Sequence, residues 1–91
     1  MWYVYIVRCK DGFLYTGITD HLEKRLHEHN SCKRGAKFIK YRRPVELAYK
    51  ESASDKIQAA KREREIKGWR REKKEELIQA GRVSLDLKVS G

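Results

Sequence analysis

The chain has 91 residues, 40% hydrophobic and 38% charged, with 22 Lys plus Arg against 13 Asp plus Glu and a net charge of +9. That length supports one domain and one core, and apolar residues grouped into periodic runs exclude a disordered chain. No run approaches the roughly 18 apolar residues of a spanning helix, and a pI of about 9.8 favours nucleic acid as partner over a membrane surface.

Met1 leads straight into strand-like sequence, so no leader is expected. Cys9 and Cys32 lack a Cys-x-x-Cys partner, which argues against a zinc knuckle and for free thiols in a cytoplasmic protein.

Trp2 to Arg8 is dense in aromatic and β-branched residues and predicts a strand. Tyr3, Tyr5 and Val7 share one face, and Trp2, Val4 and Ile6 the other. Both faces are apolar, which predicts a central strand covered on both sides. Asp11-Gly12 supplies a turn, and Phe13 to Ile18 returns as a second strand. A two-residue loop would put Tyr5 and Tyr15 on opposite faces. One shared site therefore requires an odd loop or a bulge.

Thr19 and Asp20 are helix caps, with Glu23 three residues after Asp20. The helix is expected from about His21 to Asn30, with Leu22 and Leu26 as its apolar stripe. Arg25 and His29 fall within about 60° of that stripe, where the buried face meets solvent. Ser31 to Pro44 is a basic connection carrying Lys33, Arg34, Lys37, Lys40, Arg42 and Arg43, with Phe38, Ile39 and Tyr41 interleaved. Val45 to Tyr49 alternates as an edge strand. Ser54 or Asp55 opens a second helix through about Lys67, stopped by Gly68. A last helix covers roughly Glu72 to Ala80, with Gly81 as its stop. Residues 1–81 form the expected domain and 82–91 a tail.

Phosphodiester hydrolysis needs a deprotonated water, an in-line nucleophile and compensation of transition-state charge. A carboxylate-bound divalent ion can serve several of these needs. Glu63 lies within an apolar arc marked by Ile57, Ala59, Ala60 and Ile66. A carboxylate there either holds a cation or pairs with Arg25 or a neighbouring lysine. Arg25 is a permanent bidentate donor for phosphate or a solvated helix arginine. His29 is a proton carrier or a residue interacting with the helix dipole. Tyr5 and Tyr15 are core aromatics, or general bases if cations lower their pKa. Gly17 allows close approach to the backbone or simply ends a strand.

Tyr3-Val4-Tyr5, Tyr15-Thr16-Gly17, then Arg25, His29 and Glu63 in order resemble the GIY-YIG nuclease superfamily from about Trp2 to Ile78. The stretches YVYIVRCKDGFLYTGITDHLEKRLHEHN, GAKFIKYRRPVELAYKE and REREIKGW look most like small standalone bacterial members. The resemblance implies an α+β fold, a small three-stranded antiparallel sheet flanked by three or more helices. It implies Tyr5 or Tyr15 as general base or water-orienting group, and Gly17 as the glycine of the second signature. It implies Arg25 as the arginine offsetting phosphate charge, His29 as the residue one turn later, and Glu63 as the single metal ligand for Mg2+ or Mn2+. Tyr3 and Thr16 replace a glycine and an isoleucine of the family name, and neither change removes a catalytic group. Some larger relatives use a late asparagine, whereas Asn30 is the sole asparagine here.

The expected function is a metal-dependent endonuclease acting on DNA, branched or single-stranded forms included, in repair or processing. RNA stays open as a substrate, and a monomer or weak homodimer is expected. The basic connection and the run from Lys61 to Lys74, Lys67 among them, would contact phosphates. Phe38, Tyr41 or Trp69 would stack on unpaired bases. The alternatives are a catalytically weak nucleic-acid-binding module, or a protein-interaction adaptor with a basic surface.

Overall fold

The computed structural model describes residues 1–31 and 44–90, with Ser31 and 82–90 as backbone only. The elements are β1 (Trp2–Cys9), β2 (Leu14–Thr19), α1 (Leu22–Ser31), β3 (Val45–Ala53), α2 (Lys56–Lys67) and α3 (Arg71–Ser90). The three strands form one antiparallel sheet in the order β2-β1-β3. The α+β architecture expected from the sequence is therefore present, with the densest apolar strand at the centre.

β1 is covered on both faces. Val4 and Ile6 are fully buried against Ala59 and Ile66 of α2 and Ile78 of α3, with Trp69 and Leu77 at the margin. Tyr5, Val7 and Cys9 pack on the opposite face against Leu22 and Leu26 of α1 and Val45 and Leu47 of β3. Cys9 is buried within this cluster.

The β1–β2 hairpin has the odd loop that a shared tyrosine site requires. Val7 pairs with Tyr15 and Tyr5 with Gly17. Cys9 N–H donates to Phe13 O at 2.8 Å and Gly12 N–H to Cys9 O at 2.9 Å, which leaves Lys10, Asp11 and Gly12 as a three-residue loop. Gly12 has φ +89°, the left-handed residue that closes such a turn at no steric cost.

Two elements differ from the sequence expectation. The β1–β3 register shifts between Ile6 and Val7, where Ile6 pairs with Tyr49 but Val7 with Leu47. Ala48 is the extra residue of a bulge, so Tyr49 joins the α2 side with Ala48 while Leu47 stays on the α1 side. The alternation of Val45, Leu47 and Tyr49 on one face is broken, and the strand runs on to Ala53. The second difference is at Gly81, which does not stop a helix. α3 passes through it to Ser90, so residues 82–90, read as tail, are helical. A Cβ at Gly81 would sit 3.2 Å from Tyr49 Cδ1. Gly81 is there for close helix–sheet approach.

α2 starts at its cap, whereas ahead of α1 Thr19, the last residue of β2, makes a turn bond. Asp55 accepts the Gln58 N–H at 2.8 Å as the α2 N-cap, and Thr19 Oγ1 accepts the His21 N–H at 3.0 Å ahead of α1. Asn30 clamps the end of α1 to the start of β3, donating to Val45 O and accepting from Val45 N–H at 3.1 and 2.8 Å. Arg8 of β1 grips Glu75 of α3 through two bonds of 2.9 and 2.7 Å.

Candidate active site

The hairpin register places Tyr5 and Tyr15 on one face, diagonal to each other, with ring centroids 6.5 Å apart. Gly17 lies opposite Tyr5, and a Cβ on it would meet Tyr5 Oη at 2.6 Å and Cζ at 2.7 Å. The missing side chain thus makes room for the phenol ring itself. This is a more specific role than open access to the backbone.

α1 closes over this face. His29 lies three residues after Leu26 and seven after Leu22, well inside the apolar stripe, and it is 1% exposed. It is buried more deeply than the boundary position the spacing suggested. Tyr5 Oη and His29 Nε2 are 2.8 Å apart, and the Tyr15 ring meets the imidazole edge-on at 5.4 Å. Burial and the Arg25 charge push the His29 pKa down to about 4, against the opposing pull of Glu28. Its Nδ1 is buried with no hydrogen-bond partner among the described residues. Which group donates in the Tyr5–His29 contact depends on the tautomer: with the imidazole hydrogen on Nδ1, the phenol donates to Nε2.

Arg25, on the same side of α1, interacts with the Tyr5 hydroxyl. Its guanidinium also bonds Glu28 Oε1 at 3.3 Å. Burial works against its charge, yet Tyr5 and Glu28 hold its pKa above the ordinary value. Burial pushes Tyr5 up to about 12, although Arg25 pulls the other way. The cation beside Tyr5 therefore fails to produce the lowered pKa that a resting phenolate base would need. Desolvation wins because the ring is 2% exposed.

α2 packs on the far face of β1 and β2. β2 is an edge strand, so long side chains of α2 can reach round it. Lys67 Nζ lies 5.8 Å from the centroid of the Tyr15 ring and 3.4 Å from Glu63 Oε2. The Glu63 charge is felt at the Tyr5 hydroxyl, where it opposes ionisation. Arg25, Tyr5, His29, Tyr15, Lys67 and Glu63 thus form one continuous cluster around the β2 edge.

The apolar arc of α2 is narrower than the sequence suggested. Ala59 and Ile66 are buried but Ile57 is 67% exposed. Glu63 sits on the flank of that arc, its side chain 23% exposed.

Among the described residues no group of three or more His, Cys, Asp or Glu could hold a metal ion. A lone, partly exposed carboxylate does not suit zinc or a calcium cage. It does suit Mg2+ or Mn2+, which keep most of their waters and take substrate phosphate oxygens as further ligands.

The GIY-YIG catalytic domain matches residues 1–76 of this chain. The chain belongs to the GIY-YIG family. It is 53% identical over 79 residues to the UPF0213 protein SSP2268 of Staphylococcus saprophyticus, covering 87% of this chain and 95% of that one. It is 48% identical over 79 residues to the UPF0213 protein DP2720 of Desulfotalea psychrophila, covering 87% and 72%. The solution NMR structure of the UPF0213 protein BH0048 from Bacillus halodurans is similar at a TM-score of 0.56 and 41% identity, covering 88% and 85%. A GIY-YIG catalytic domain implies nuclease-type chemistry, a nucleic-acid substrate and general use of a divalent metal.

Lys33, Arg34, Lys37, Lys40, Arg42 and Arg43, read as phosphate contacts, and Cys32, Phe38 and Tyr41 lie outside the described residues. Trp69 packs beside the core, with Lys73 Nζ at 4.4 Å and Arg62 Cζ at 5.2 Å from its ring centroid. Asn30 serves structure through its two bonds to Val45. Sequence reasoning missed Glu28, whose i,i+3 spacing from Arg25 was the available signal. Among the described residues no helix is long and apolar enough to cross a membrane.

Proposed function

We propose that the chain is a divalent-metal-dependent endonuclease hydrolysing phosphodiester bonds in DNA, branched or single-stranded forms included, with this cluster as its catalytic centre. The reading is carried by the 2.8 Å Tyr5–His29 contact, which lies beside Arg25 and within electrostatic reach of Glu63.

Arg25 binds the scissile phosphate. Its charge persists at every working pH, and Glu28 fixes its orientation. Tyr5 carries its proton at rest. A pKa of about 12 leaves roughly one phenol in 10⁵ ionised at pH 7. Its oxygen therefore takes a proton from the attacking water only as its own proton passes to His29 Nε2, which uses the tautomer with hydrogen on Nδ1. The hydroxide formed attacks phosphorus, the bond to the leaving oxygen breaks with its electron pair on that oxygen, and that oxygen takes up the proton Tyr5 gained from water as His29 returns its own to Tyr5. His29 is kept neutral by burial and by Arg25. A phosphate seated on Arg25 offsets that cationic charge and makes the imidazole a better acceptor when it is needed. Tyr15, beside both rings, holds the water on the open side. Glu63 is the residue that would hold Mg2+ or Mn2+, which when bound acidifies water and offsets phosphate charge.

The test incubates labelled single-stranded, duplex, flap and branched DNAs with and without Mg2+ or Mn2+. Arg25→Ala and Glu63→Gln should each lower cleavage on the order of 10²-fold or more. Equal cleavage by Glu63→Gln and wild type would remove the assigned ligand. Tight binding with no cleavage in either ion would identify a nucleic-acid-binding module instead.

A further inference from the structure

Glu63 is already paired with a cation, and that cation belongs to the chain. Lys67 Nζ stands 3.4 Å from Glu63 Oε2, one helical turn on, and 5.8 Å from the Tyr15 ring centroid. The other carboxylate pairs involving α2 are built differently. Arg62 holds Glu51 through 3.1 and 3.2 Å bonds and Glu65 at 2.6 Å. Those are shorter guanidinium contacts, and Glu51 also accepts from the Tyr49 hydroxyl at 2.6 Å. The Glu63 pair is a single long contact from a flexible ammonium whose side chain is 51% exposed. An ammonium is a compact, mobile point charge, held here by one carboxylate oxygen and one π face. Such a partner can leave.

We propose that Lys67 is the resident counter-ion of Glu63, occupying in the metal-free protein the place a divalent ion takes, so that the two cations exclude one another. This rests on the reading of Glu63 as the metal ligand. A divalent ion at that carboxylate would repel the nearby ammonium about twice as strongly as the carboxylate attracts it, since the charge product doubles. Lys67 then swings away from Glu63 on its four-carbon stem, past Tyr15 and towards the phosphate. The pair keeps the carboxylate neutralised while no ion is bound. It also raises the ion concentration needed to fill the site.

The experiment measures Mn2+ binding to the full chain by loss of the free-ion EPR signal, at low salt and without DNA. The variants are wild type, Lys67→Gln, Lys67→Arg, Glu63→Gln and the Glu63→Gln/Lys67→Gln pair, each checked for folding by circular dichroism. Lys67→Gln should bind Mn2+ about threefold tighter or more, an advantage that shrinks as salt screens the lysine. Lys67→Arg should stay near wild type. Both proteins lacking Glu63 should lose the site. Equal or weaker binding by Lys67→Gln, with loss in Glu63→Gln, overturns the counter-ion role and leaves the ligand reading standing. Retention of the site by Glu63→Gln, or no binding by any protein, overturns both.

Discussion

At the contact between Tyr5 and His29, burial drives two titrations in opposite directions. The phenol is held protonated and the imidazole unprotonated. His29 moves from 6.5 in the unfolded chain to about 4 in the fold. The unfolded chain therefore takes up a proton first as the pH falls. The His29 contribution to stability is fully present above pH 6.5 and is lost progressively towards pH 4, by about 3 kcal/mol. Urea denaturation at pH 7 and pH 4.5 should show this loss in wild type, and His29→Gln should flatten it. Gly17 allows a second prediction. Gly17→Ala drives a methyl group into the Tyr5 ring and should cost about 1–3 kcal/mol. Pairing it with Tyr5→Leu should give a loss smaller than the sum of the two single changes. The spacing of Arg25 and His29 was legible because both follow a two-leucine helical stripe. The clash behind Gly17 was not, because it depends on where a phenol twelve residues earlier lies.

At the scale of elements, caps and periodicity carried the reading furthest. The hairpin, α1 and α2 follow from local turn chemistry, Thr19 and Asp55. Asp55→Ala should cost about 1 kcal/mol by chemical denaturation, and it loosens the start of the helix that carries Glu63 and Lys67. Where local rules failed, a tertiary contact had overridden them. The bulge at Ala48 turns Tyr49 to the α2 side, where its hydroxyl donates to Glu51 at 2.6 Å. The same ring lies against Gly81, and α3 passes over it unbroken. A glycine at a helix end and a glycine at a helix crossing look alike in sequence. The partner that distinguishes them here is over thirty residues away.

For the whole molecule, the net charge of +9 is a statement about a polyanionic partner. Counter-ion release makes its signature measurable. If about six phosphates are neutralised, log K for DNA should fall against log salt with a slope near −5. Fluorescence anisotropy between 50 and 200 mM salt checks this, and a flat response would favour an acidic protein partner instead.

Composition and order alone determined that a small, basic α+β fold forms, with an apolar central strand and a family signature spread along the chain. These are properties of local pattern and total charge, which need no coordinates. The tertiary structure decided what the signature residues touch. It put Glu63 beside Lys67, gave Gly17 to the Tyr5 ring and raised the phenol's pKa. Each outcome balances desolvation against charges brought together from distant positions, and no local window of sequence contains both sides of that balance.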